Sequence, residues 1–175
     1  MFLFLKNLFF TLVVPGTVGV FLPLKIADGH SSASGLLFAI ACAFFAIATA
    51  IYVWCVWDFA VVGRGTPAPI DAPKKLIVCG LYRYTRNPMY LGSLTAILVW
   101  DILFRATTLV FYAMAVGICF HLFIVFYEDP HLQRKFGKEY DDYCAQVNRW
   151  LPKPGAGRPP NTYKTSRCQE KKIFS

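Results

Sequence analysis

The sequence predicts an all-α fold, a multi-pass transmembrane helical bundle of four spans with a C-terminal amphipathic helix. Three observations predict it. The first is composition: of 175 residues, 56% are hydrophobic and 16% charged, and 16 are Phe, a balance far from that of a soluble domain. The second is that the apolar residues gather in four runs divided by glycine, proline and charge. The third is the distribution of the 18 Lys and Arg residues, which sort by membrane side under a four-span topology. Lipid cannot satisfy open backbone groups, so such a chain builds its core from helices. The length suits one compact unit, and residues 1–152 are expected to form a single transmembrane domain.

Residues 2–24 form the first run, with Lys6 near its start and Pro15, Gly16, Gly19 and Pro23 inside it. A kink is expected near Pro15, tolerated where neighbours satisfy the freed carbonyl. The run is long for the core of a signal peptide, lacks a small-residue cleavage site and is followed by further spans, so it reads as an anchor. Residues 25–34, with Asp28, Gly29, His30 and three serines, read as a solvated turn. The second run, from Gly35 to about Val62, is long enough for a hydrocarbon layer of roughly 30 Å. Tyr52, Trp54 and Trp57 suit an interfacial belt near its end, and Asp58 closes its uncharged part.

From Gly63 to Asn87 the chain turns polar. Pro67, Pro69 and Pro73 prevent a continuous helix, and Lys74, Lys75, Arg83 and Arg86 add positive charge. Two shorter runs, 89–104 and 107–127, are separated only by the Arg105 region, which predicts an antiparallel helical hairpin over 88–127. After Tyr127, Asp129 suits an N-cap and Pro130 a first helical position. Leu132, Phe136, Tyr140, Tyr143 and Val147 then recur at three- and four-residue steps, predicting one amphipathic helix softened at Gly137. Its stripe would lie on the bilayer surface or close over the hairpin. Residues 153–175, proline-rich and basic, read as a disordered cytosolic tail attracted to anionic lipid.

In this topology 16 of the 18 basic residues share one side, leaving Lys25 and Arg105 on the other. The positive-inside rule then places both termini and the central loop in the cytoplasm. The net charge of +8 therefore reflects membrane orientation, and no nucleic-acid partner is expected, because the cations do not alternate with aromatics along a soluble face. Six cysteines without CxxC spacing read as free thiols with no metal site.

Ionisable groups in or at a membrane are costly, so each invites a functional reading. Asp101, near the hairpin tip, reads as a solvated helix end; Asp58 reads similarly, though on the side where a site would lie. His121 stands seven residues before Glu128, on nearly the same face of an uninterrupted α-helix. It suits a hydrogen bond between helices better than a catalytic base. Glu128 ends the fourth span beside Asp129, level with Arg83 and Arg86.

Gly80-Leu81-Tyr82, Arg86-Asn87-Pro88-Met89-Tyr90-Leu91-Gly92, Glu128-Asp129-Pro130, Phe136-Gly137 and Arg149-Trp150-Leu151-Pro152 follow one another in this order. Over residues 80–152 the chain resembles the isoprenylcysteine carboxyl methyltransferase family, whose outline the phospholipid N-methyltransferases share. The resemblance implies a membrane methyltransferase that uses S-adenosylmethionine and takes a lipophilic methyl acceptor from the bilayer. It further implies a cofactor held between Gly80, Leu81, Tyr82, Arg86, Asn87, Tyr90 and Leu91 on one side and Glu128 and Asp129 on the other. The chain departs from the family at Asn87, where His is usual, at Asp129, where Glu is common, and at Asn148, where Pro often stands. Asn hydrogen-bonds but does not titrate, which suits position 87 to binding.

The chemistry of these residue types agrees with that implication. A sulfonium methyl donor is already activated, so the protein supplies position and charge complementarity. Glu128 with Asp129 suits an ammonium, Arg86 or Arg149 a carboxylate, and Tyr82 and Tyr90 offer ring faces to an adenosyl group or a sulfonium. Arg149 and His121 are the candidate catalytic residues. A carboxylate acceptor of the prenylcysteine kind would need no base; a protonated lipid amine would, drawing in His121 or Asp58. No Gly-x-Gly-x-x-Gly follows a predicted strand, which closes the common soluble methyltransferase route. Two other readings share the outline: an NADPH-dependent membrane reductase of the sterol type and a non-catalytic membrane scaffold.

Overall fold

The computed structural model describes residue 9 and residues 13–63 and 75–152. Every regular element among the described residues is helical. Lys6, Pro67, Pro69, Pro73, Lys74, Cys168 and the 153–175 tail lie outside them.

Four apolar helices carry the fold: α1 (Val13–Ile26), α2 (Leu36–Gly63), α3 (Pro88–Phe104) and α4 (Thr108–Phe136); α2 and α4 are long and apolar enough to cross a membrane. A shorter helix, α5 (Lys138–Gln146), follows. Ala41, Ala48 and Cys55 are buried on α2 at seven-residue steps, which places them on one face. Where α3 crosses that face it presents Gly92; a Cβ there would lie 3.1 Å from Ile51 Cγ2 and 3.3 Å from the Ala48 carbonyl. Helices in lipid gain little from hiding apolar surface from one another, so close approach of small residues supplies the contact instead. The outer faces stay open: Phe44, Ile47 and Trp57 on α2 and Phe111, Ile118 and Phe126 on α4 are exposed, as lipid-facing side chains would be. Arg105, at φ 51°, makes the tight reversal between α3 and α4.

α1 runs through both Pro15 and Pro23, and its irregularity lies between them. Residues Thr17–Phe21 form a π-helical turn, and the Leu22 N–H reaches back five residues to the Thr17 carbonyl. The next residue, Pro23, has no N–H, so neither Val18 nor Gly19 receives its backbone hydrogen bond from it. Trp100 Nε1 donates to the Gly19 carbonyl and Tyr112 Oη to the Val18 carbonyl, each at 2.8 Å. The neighbours expected to satisfy a freed carbonyl are thus side chains of α3 and α4.

The region after Tyr127 corrects the sequence reading. Asp129 is not an N-cap: its backbone is helical, φ −57° and ψ −49°, and α4 runs through it. Another π-helical turn, Ile124–Glu128, with the Asp129 N–H bonded to the Ile124 carbonyl, absorbs Pro130 without ending the helix. The chain breaks instead at Gly137, at φ +52°, a conformation that favours glycine. The single amphipathic helix is therefore two pieces. Leu132, Phe136, Tyr140, Tyr143 and Val147 close over Leu76 and Val78 of the returning chain. Asp58 is a further correction. It is fully buried, 0% exposed, because the chain returns over the end of α2 with Gly80 at φ +60°, where a Cβ would collide with Asp58 Oδ2.

Candidate active site

Three segments meet at one end of the helices: residues 75–87, the acid pair on α4 and the stretch following α5. Residues Gly80–Arg83 form a 3-10 turn that sets Tyr82 inward, and Tyr143 Oη donates to the Tyr82 carbonyl at 2.8 Å. Beyond it the chain pairs with the C-terminal stretch. The Arg86 N–H donates to the Asn148 carbonyl at 3.0 Å. Thr85 Oγ1 and Asn87 Nδ2 both donate to the Arg149 carbonyl, at 2.9 and 3.3 Å. Asn87, 5% exposed, thus holds the loop that presents Arg149, and Pro88 opens α3 directly after it.

The side chains of the two polar clusters then interlock. Tyr90 Oη donates to Glu128 Oε2 at 2.8 Å, and the Tyr90 ring packs on Phe120 with centroids 4.8 Å apart. Asp129 takes two partners: the Arg149 guanidinium pairs with Oδ2, and Tyr140 Oη donates to Oδ1. Arg86 donates to the Cys144 thiol. The acids are therefore divided, Asp129 being committed to Arg149 and Tyr140 while Glu128 faces Tyr90.

The electrostatics follow from burial and partners. Burial opposes the Arg86 charge, but Cys144, Tyr140 and Asp129 outweigh it and raise its pKa, so Arg86 stays a cation. Burial pushes the Cys144 thiol up, against the pull of Arg86. Burial, then the hydrogen bond to Asp129 and its charge, push the Tyr140 phenol up; burial does the same to Tyr82 and Tyr143. Such groups stay protonated and serve as donors at neutral pH.

The remaining predicted residues are placed as follows. Leu81 packs beside Cys55 and Tyr82, and the Leu91 N–H donates to the Asn87 carbonyl at 3.2 Å within the first turn of α3. His121 is exposed; its Nδ1 accepts from Trp150 Nε1 at 3.4 Å. It does not share a face with Glu128, because the π-helical turn between them shifts the register on which that expectation rested. Sequence reasoning missed Thr85, Cys144 and the hydroxyl of Tyr140. For Tyr140 a signal existed: a tyrosine in a buried stripe needs a partner for its hydroxyl.

A cavity of about 70 Å³ opens beside this cluster, lined among others by Val18 and Gly19 of α1, Tyr90 and Ser93 of α3 and Phe120 of α4. Tyr90 belongs to both: its ring lines the apolar cavity and its hydroxyl reaches Glu128.

Fold and site together define an all-helical membrane protein whose charged, tyrosine-lined cluster lies at the end of its apolar helices. The family is settled by comparison: the profile of the phospholipid methyltransferase family matches residues 36–139, more than half of the chain, and the protein belongs to that family, which is related to the isoprenylcysteine carboxyl methyltransferases. The matched span begins at α2 and includes both Arg86 and the acid pair, but not α1, Tyr140 or Arg149. Comparison with curated proteins and with solved structures finds no match.

Methyltransferases of this family generally use S-adenosylmethionine, and the donor set fits such a group. Glu128 offers an acid whose second oxygen is not taken by Tyr90. The buried Nε atoms of Arg86 and Arg149 have no hydrogen-bond partner among the described residues. A carboxylate and a guanidinium suit the two charges of a zwitterionic amino-acid end.

Proposed function

We propose that the protein is an integral-membrane S-adenosylmethionine-dependent methyltransferase acting on a lipophilic acceptor. In this reading the chain has four spans, with both termini and the site on the cytoplasmic side. The observation that carries it is the Tyr90–Glu128 hydrogen bond, which joins the charged cluster to an apolar cavity between the helices.

The bound cofactor supplies an electrophilic methyl group on a sulfonium. The chain's own residues divide the remaining tasks. Glu128 accepts from the cofactor ammonium. Arg86, whose own hydrogen bond goes to a thiol and not a carboxylate, receives the cofactor carboxylate in preference to Arg149. Asp129, Tyr140 and Arg149 position the loop, and Asn87 holds it from below. Tyr90 would border the sulfonium, whereas Tyr82, buried against Cys55 and Phe59, supports the 80–83 turn from within.

An amine-bearing lipid suits this site better than a prenylcysteine carboxylate, because Glu128, linked to the cavity through Tyr90, attracts a cation and repels an anion. A protonated amine must lose its proton before its lone pair reacts. Tyr90 Oη links the cavity to Glu128 and gives that proton a path, which neither the buried Asp58 nor His121, absent from the cavity lining, offers. The test is methyl transfer from radiolabelled S-adenosylmethionine by purified, lipid-reconstituted protein, with phosphatidylethanolamine or a farnesylcysteine as acceptor. Labelled phosphatidylethanolamine supports the proposal; label only in the carboxylate ester reverses the acceptor class; no label in either removes the enzyme reading. Comparing the melting temperature with S-adenosylhomocysteine and with NADPH separates it from the reductase, since a ligand of the native state raises the midpoint.

A further inference from the structure

We propose that Thr85 is a positioning residue of the cofactor site: with Asn87 it closes a ring of hydrogen bonds on the Arg149 carbonyl, and that ring keeps the Arg149 guanidinium on Asp129. The consequence for cofactor binding rests on the methyltransferase reading; the ring itself does not.

The ring has three bonds. The Asn87 N–H donates to Thr85 Oγ1 at 3.3 Å, Thr85 Oγ1 donates to the Arg149 carbonyl at 2.9 Å, and Asn87 Nδ2 donates to the same carbonyl at 3.3 Å. Thr85 and Asn87 are both buried. One hydroxyl thus accepts and donates at once, a part that neither Val nor Ala can play. Asn87 gives up a bond to take part. It is the N-cap of α3 and Asn is among the best capping residues, yet its side chain makes no capping bond. The amide is spent on Arg149 instead.

The segment that the ring holds has few other anchors. Val147 is the last buried residue among the described residues, and Leu151 is 74% exposed. Between them residues 148–150 cross from the 85–87 segment to α4. They are gripped by the Arg86 N–H on the Asn148 carbonyl, by the ring on the Arg149 carbonyl, by Asp129 on the Arg149 guanidinium and by His121 on Trp150 Nε1. A strap held by polar bonds goes where those bonds put it. With the ring closed, Arg149 and Tyr140 occupy both oxygens of Asp129, which leaves Glu128 and Arg86 for the amino-acid end of the cofactor. With the ring open, the strap has to be ordered when the cofactor binds, and that cost subtracts from affinity.

The experiment uses the full chain in phosphatidylcholine vesicles. Residue-resolved hydrogen–deuterium exchange of the ligand-free protein follows the Arg86 amide, whose acceptor is the Asn148 carbonyl of the strap. Calorimetry measures affinity for S-adenosylhomocysteine and for methylthioadenosine, which lacks the amino-acid end. In Thr85→Val the Arg86 amide should exchange faster and S-adenosylhomocysteine bind about fivefold more weakly, the effect of one lost hydrogen bond, with methylthioadenosine affinity kept. Thr85→Ser, which restores the hydroxyl, should match the parent in all three. Asn87→Asp turns a donor into an acceptor facing the same carbonyl while remaining a good helix cap; it should repeat the Thr85→Val pattern, and it decides the matter if Thr85→Val fails to fold. Unchanged exchange in both variants overturns the ring. Faster exchange with S-adenosylhomocysteine affinity unchanged, or with equal losses for both ligands, overturns the positioning role. A parent protein that binds no S-adenosylhomocysteine while the exchange pattern holds removes the methyltransferase reading and leaves the ring standing.

Discussion

Of the three π-helical turns among the described residues, at Thr17–Phe21, Phe59–Gly63 and Ile124–Glu128, the first and the last have the same construction and opposite uses. In α1 the turn Thr17–Phe21 is followed by one residue and then Pro23; in α4 the turn Ile124–Glu128 is followed by Asp129 and then Pro130. Each admits a proline to an apolar helix without ending it. In α1 the freed carbonyls serve as anchors for Trp100 and Tyr112 and fix a wall. In α4 the turn resets the register, so that Glu128 meets Tyr90 while His121 meets Trp150. One backbone irregularity thus holds a helix in place, and the other aims a carboxylate. The α1 turn should therefore matter to stability and the α4 turn to chemistry.

Pro130→Ala is the largest test of that division. Restoring the N–H lets the turn relax toward α-helix and swings Glu128 from Tyr90, so methyl transfer should fall about a hundredfold, the usual effect of ångström-scale misplacement, while the melting temperature holds. An unchanged rate would deny the α4 turn its role. Asp129→Asn comes next. It weakens a half-buried pair with Arg149 and should cost about 2 kcal/mol of stability, read from the denaturant midpoint, with Arg149→Lys behaving similarly because the short amine cannot reproduce the planar donor.

Trp100→Phe should cost about 1 kcal/mol, by removing the donor to Gly19, and leave S-adenosylhomocysteine affinity unchanged. A loss of affinity instead would merge the two turns into one functional unit. The smallest effect is in pH. Cys144, Tyr140 and Tyr143 have folded pKa values raised above the ordinary 9.0 and 10.0, so the folded chain keeps protons that the unfolded chain releases. Their contribution is complete below about pH 9 and declines as pH climbs beyond it. A melting temperature that rises between about pH 8.5 and 10.5 would contradict this, provided the helices themselves are unaffected.

The comparison also explains what the sequence made legible. The apolar runs gave the helices, because hydropathy is a local signal; the hairpin over 88–127 appears as α3 and the first part of α4. The two clusters were placed at one end by counting charge, and they meet there. Register was not legible. The expectation that His121 and Glu128 share a face assumed 3.6 residues per turn, and the π-helical turn breaks that period. Nor were the links from Thr85 and Asn87 to the Arg149 carbonyl legible, since no periodicity joins residues more than 60 positions apart. Pro130 invited a helix start because proline is commonest there, yet its neighbours absorb it.

The central claim is that Glu128, turned by its proline-linked turn, and Arg86 form a site for S-adenosylmethionine. Isothermal calorimetry of S-adenosylhomocysteine binding to the lipid-reconstituted protein tests it most directly. The account predicts saturable binding at one site, weakened about tenfold or more in Glu128→Gln and in Arg86→Gln, as expected for lost charge-assisted hydrogen bonds, with the melting temperatures of the ligand-free proteins preserved. Absence of binding by the folded parent protein, or equal affinity in both variants, would contradict it.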